Sequence, residues 1–94
     1  MDSISLVKMI VSGKVQGVSF RWFTVQIGKN MGLKGYAKNH IDGTVEIHAT
    51  GNPCDLKVLI EKVKIGPPTS RVDHVEIEWG SDIIPFTNFE IRYS

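Results

Sequence analysis

With 94 residues, 41% of them hydrophobic and 22% charged, the chain has the makeup of one soluble globular domain and is too short for two. Its 11 basic and 10 acidic residues leave a net charge of +1, so no global field recruits nucleic acid or an anionic membrane, and any taste for anions must be local. The one cysteine, Cys54, cannot form an internal disulfide. Met1-Asp2-Ser3 opens no secretory leader, and no apolar stretch approaches the roughly 18 residues of a membrane span, so a cytoplasmic protein with no membrane partner is expected.

Ile4 to Val11 is apolar on both alternations apart from Ser5 and Lys8, as in a central strand covered on both faces. Ser12 to Arg21 follows as a glycine-punctuated turn into a helix that begins near Phe20. Phe20, Phe23, Ile27 and Met31 define the buried stripe of that helix, with Trp22, Val25, Gln26 and Lys29 off it, and Gly32 closes it. Gly28, inside the helix, would cost about 0.8 to 1 kcal/mol relative to alanine. Leu33 to Lys38 and Thr44 to Ala49 read as two strands joined by an Asp42-Gly43 hairpin signal, hence adjacent and antiparallel.

Asn52-Pro53 announces a second helix with an N-cap and a proline at its first position, and Leu56, Leu59, Ile60 and Val63 mark its buried face. Gly66-Pro67-Pro68 ends it. Val75, Ile77 and Trp79 alternate with His74, Glu76 and Glu78 in a fourth strand with one wet face, Gly80 to Pro85 is a loop, and Phe89, Ile91 and Tyr93 mark a last strand. The order is βαββαβ with a closing strand. Two amphipathic helices between strands need a sheet to cover, and right-handed crossovers put both on one face of a mainly antiparallel sheet. This is an α+β, ferredoxin-like α/β sandwich over residues 1–94.

The loop carries the chemistry. The first amides of a helix lack intrahelical partners and carry the positive end of its dipole, so the turn is an anion site in outline. Gly13 and Gly17 permit positive φ and close approach to a ligand, and Arg21 could offer its planar fork to phosphate oxygens. The same residues also suit an ordinary βα connection with a solvated arginine. It is not a Walker loop, because the glycine spacing and the following Ser or Thr are wrong. His40, His48, His74 and Cys54 show no ligand spacing, so no metal is expected. RNA-recognition domains share the element order, but Thr44, Glu46, His48, His74, Glu76 and Glu78 make the open face acidic and without stacking rings, so no nucleic-acid partner is expected.

The string Gly13-Lys14-Val15-Gln16-Gly17-Val18-Ser19-Phe20-Arg21 resembles the signature loop of the acylphosphatases. Gly35 to Glu46 resembles that family's second signature, with Asn39 at its key asparagine, and Gly66-Pro67-Pro68, Arg71 to Val75 and Phe89 to Tyr93 fit as well. The resemblance spans nearly the whole chain. It departs at Gly28, where alanine is common, at Tyr36, where tryptophan is frequent, and at Ala37, where valine is frequent; all three concern packing.

The resemblance implies the same sandwich fold and an enzyme that hydrolyses small-molecule acyl phosphates to a carboxylate and inorganic phosphate, with no cofactor and no metal. Arg21 would clamp the phosphoryl group, aided by the loop Val15, Gln16, Gly17, Val18, Ser19 and Phe20, and Asn39 would orient the attacking water. From the residues alone, helping the turn into Asp42-Gly43 is the better reading of Asn39, and it is the resemblance that reverses this. Gln16 suits a brace for the loop. The alternative is a phosphate-binding module without catalysis, or a domain of the carbamoyl-transfer proteins that carry such modules. The chain begins at Met1, ends shortly after the last strand and has no zinc-finger cysteines, so a stand-alone monomer is expected.

Overall fold

The computed structural model describes residues 4–80 and 86–93. The expected loop at Gly80 to Pro85 lies mostly outside them, with Gly80 itself ending a strand. The elements are β1 (Ser5–Lys14), α1 (Phe20–Asn30), β2 (Lys34–Asn39), β3 (Val45–Gly51), α2 (Pro53–Ile65), β4 (Arg71–Gly80) and β5 (Phe89–Arg92). One sheet contains all five strands in the order β4-β1-β3-β2-β5.

Three of the four strand pairings are antiparallel, and β2 with β5 is parallel, so the sheet is mixed. The strict alternation of Val7, Met9 and Val11 on β1 and of Val45, Ile47 and Ala49 on β3 puts six fully buried side chains on one face. They join Leu56, Leu59 and Val63 of α2 and Phe20 of α1 in one apolar cluster, so both helices cover the same face. Asn52 caps α2 by accepting from the Cys54 amide at 2.8 Å, and the four residues expected on its buried face are the four that are buried.

α1 departs from expectation in which residues meet the sheet. Phe20 is buried, but the line of closest approach runs on through Thr24 and Gly28, with Val25 beside it at 4% exposure; Ile27 and Met31 are only partly buried. Small residues are needed where a helix backbone comes nearest a sheet, and a hydrophobic count cannot flag them. A Cβ on Gly28 would overlap the Phe89 ring of β5. Thr24 is tolerated there because its hydroxyl donates to the Phe20 carbonyl at 3.0 Å.

β4 also departs. It is a sheet edge that α2 covers incompletely, leaving Ile77 at 36% and Trp79 at 45% exposure on the alternation expected to be buried. Gly13 has a different task from the one its motif suggested. It sits at φ 125° where the β1–β4 register shifts after Ser12, and a Cβ there would overlap the Arg71 carbonyl. Its close approach is to β4 backbone, as in a bulge, and not to a ligand.

The open face carries rings after all. Tyr36 stacks on His48 with centroids 4.8 Å apart, meets Phe86 edge-on at 5.8 Å, and lies under the Arg92 guanidinium at 4.2 Å. These surfaces are occupied by one another, and Tyr36 is only 8% exposed. His48, expected on a wet face, is half-buried and its Nδ1 has no partner among the described residues. No described helix is long and apolar enough to cross a membrane.

Candidate active site

Register brings the site together. Asn39 at the end of β2 pairs with Val45, Val45 with Val11, and Val11 with Val75, so Asn39 lies two strand spacings, roughly 10 Å, from β1 close to where β1 leaves the sheet. Asn39 also shares the alternation of buried Ala37, which turns it to the helix-covered face. On that face α1 begins.

The connection between β1 and α1 is only Val15 to Ser19. Gly17 (φ 72°) and Ser19 (φ 63°) both adopt the left-handed region and curl the chain. Glycine does this without penalty, whereas Ser19 costs on the order of 1 kcal/mol that surrounding structure must offset. Ser19 is the N-cap residue of α1 yet its side chain makes no capping bond. Phe23 is the first helix amide seen to bond back, to the Ser19 carbonyl at 2.9 Å. Among the described residues no acceptor takes the main-chain amides of Gly17, Val18 or Ser19. The result is a turn of main-chain donors, without acceptors among the described residues, at the positive end of a helix.

A cavity of about 300 Å³ opens at this turn. Val15, Gly17, Ser19 and Phe20 line it, with Arg21 and Trp22 from the first turn of α1, Asn39 from β2 and Ile91 from β5. Arg21 and Asn39, far apart in sequence, therefore share one cavity. Among the described residues no carboxylate pairs with Arg21; its Cζ lies 5.0 Å from the centroid of the Tyr93 ring. Asn39 Oδ1 is buried with no hydrogen-bond partner among the described residues, an unusual state for a buried amide oxygen.

Two of the loop residues named from sequence do not line the cavity. Gln16 turns its amide into the β2–β3 connection, donating from Nε2 to the carbonyls of His40 at 2.6 Å and Thr44 at 2.9 Å. Val18 packs partly against the core, and its carbonyl accepts from Thr69 Oγ1 at 3.1 Å. The turn that Asn39 might have served is held by Asp42 instead, whose carboxylate accepts from the Thr44 amide and hydroxyl. Sequence reasoning missed Trp22, Ile91 and Tyr93; the usable signal was an aromatic residue off the buried stripe beside Arg21.

Below the turn, on the open face, Glu46 accepts from the Tyr36 hydroxyl and pairs with His40 Nε2 at 2.8 Å. Burial pushes the Glu46 carboxyl up, but the hydrogen bonds from Tyr36 and His40 outweigh it and hold it below the usual carboxylate range. Burial, then the Glu46 carboxylate, push the Tyr36 phenol up, and burial pushes the His48 imidazole down. Among the described residues no group of three or more His, Cys, Asp or Glu is placed to hold a metal ion.

The chain is similar to known proteins in sequence and in fold. The family model for acylphosphatase matches residues 7–91. An acylphosphatase of Archaeoglobus fulgidus is 42% identical over 86 residues, covering 92% of this chain and 96% of its own. The crystal structure of acylphosphatase from Bacillus subtilis superimposes with a TM-score of 0.92 at 36% identity, covering 95% of this chain and 99% of that one. A full-length HypF, solved in a phosphate- and nucleotide-bound form, matches with a TM-score of 0.85 at 25% identity over 98% of this chain but 12% of its own length. The chain belongs to the acylphosphatase family.

Proposed function

We propose that the cavity binds the phosphoryl group of an acyl phosphate and that Arg21 and Asn39 divide the work of hydrolysing it. The bond broken is between phosphorus and the bridging oxygen, whose electron pair leaves with the carboxylate. The bond formed is between phosphorus and a water oxygen, and the water's proton passes to phosphate or solvent. A carboxylate leaves without needing a proton, so no general acid has to be built. What remains is positioning and charge neutralisation.

Arg21 meets the phosphoryl oxygens with its planar fork, and the amides of the Gly17–Ser19 curl share the load. Asn39 accepts a hydrogen bond from the attacking water through Oδ1 and aims its lone pair at phosphorus. A carboxylate in that position would be repelled by a dianionic substrate, whereas a carboxamide is not. The observation that carries this reading is the buried, unpartnered Asn39 Oδ1 in the same cavity as an Arg21 that no described carboxylate neutralises. Gln16, its amide committed to the His40 and Thr44 carbonyls, acts as the brace that keeps curl and asparagine in register.

Benzoyl phosphate hydrolysis, followed on wild type, Arg21→Lys and Asn39→Ala, tests the assignment. Wild type is expected to turn over and to keep its rate after exhaustive EDTA treatment. A chain that binds inorganic phosphate but never hydrolyses the anhydride would be a binding module instead.

A further inference from the structure

The phosphate end of the substrate is described by the curl, Arg21 and Asn39, and the acyl end by the rim around them. Trp22 lines the cavity yet is 59% exposed, and Tyr93, 80% exposed, stands against the Arg21 guanidinium. Ile91, partly buried, completes the apolar lining from β5. Two large rings, one lining the cavity and one against its arginine, therefore stay in solvent near the charged group that would hold the phosphoryl. Exposed aromatics grouped at a cavity mouth commonly mark a contact surface.

We infer that Trp22, with Ile91 and Tyr93, receives the acyl group, and that this rim favours flat, uncharged acyl groups. This rests on the cavity being the acyl phosphate site. A guanidinium stacked on a ring keeps its in-plane N–H donors for the phosphoryl oxygens, so Tyr93 orients Arg21 without competing for it. Arg21 is also the only charged residue lining the cavity among the described residues. A second anionic group on the acyl side would find no further cation there, while an apolar or aromatic acyl group gains by covering the indole.

The test compares kcat/KM for benzoyl phosphate and acetyl phosphate on the full chain, its Trp22→Ala variant and its Trp22→Phe variant. The benzoyl-to-acetyl ratio is expected to fall about tenfold in Trp22→Ala and to be largely kept in Trp22→Phe, in line with losing an apolar contact to the substrate. In wild type, 4-carboxybenzoyl phosphate should be about tenfold poorer than benzoyl phosphate, because its extra charge is unmatched. A ratio unmoved by Trp22→Ala, or a carboxylated substrate used as well as the plain one, overturns the rim assignment and leaves the site reading intact. A wild type that hydrolyses neither benzoyl nor acetyl phosphate sinks both.

Discussion

Two polar clusters lie on opposite faces of one sheet, and they treat charge in opposite ways. On the open face, Glu46 is engaged by Tyr36 and His40, and Arg92 is stacked on Tyr36 with Glu90 at 3.7 Å. On the helix-covered face, Arg21 has a ring for company, and among the described residues it has no carboxylate and Asn39 Oδ1 has no partner. The first arrangement matches its own charges and serves as structure, although His48 Nδ1 there has no partner among the described residues. On the function proposed above, the second is completed by a ligand that brings negative charge and a water to be held.

If that contrast is right, Arg21→Lys should cost the most, about 10³-fold or more in kcat/KM together with weakened inhibition by inorganic phosphate, since a point charge does not reproduce the fork. Near-normal phosphate affinity in that variant would remove the clamp. Asn39→Ala should lower kcat by about 10²-fold while the inhibition constant for phosphate moves little, because it acts on water and not on the phosphoryl group. Equal losses in both measurements would contradict its role.

The Gln16 side chain joins the two regions, since the His40 whose carbonyl it holds also pairs with Glu46. Gln16→Ala should cost about 1–2 kcal/mol in urea unfolding, as the His40 and Thr44 carbonyls each lose one of two donors, and should lower kcat through loosened placement of Asn39. Unchanged stability would break the link between the faces.

The smallest effect is in the acid limb. His48, with its imidazole pushed below about 6.5, is held neutral by the fold, so stability is full above that pH and falls as pH drops towards the lower folded value. Glu46 lies below its ordinary value of about 4.5, so its contribution is present above that pH and is lost as pH falls through the folded value. Thermal unfolding across this range should decline in two stages. Glu46→Gln should shrink the lower stage and, because the Glu46 carboxylate partly offsets the downward push on His48, deepen the upper one; loss of the upper stage instead would reverse the assignment.

Much of this was legible beforehand. Asn52-Pro53 and the spacing of Leu56, Leu59, Ile60 and Val63 specify α2 down to its cap because those signals act within one or two helical turns. The two signature stretches likewise singled out Arg21 and Asn39. Less was legible where contact depends on distant chain. Gln16 read as a brace without showing what it braces, and Val18 could not be separated from the cavity-lining loop residues, because their partners, His40, Thr44 and Thr69, come from other segments.

Local spacing, being a property of neighbouring residues, was enough to specify each helix and strand and the Asp42 turn, while the loop after β1 was singled out by its resemblance to a family signature. Strand order was needed for everything else: the parallel seat of β5 that presses Phe89 onto Gly28, the half-covered edge at Ile77 and Trp79, and the rings packed around Glu46. It also made one site from two motifs. Asn39 and Arg21 share a cavity because β3 alone separates β2 from β1, and a pairing across the sheet leaves no trace in the sequence between them.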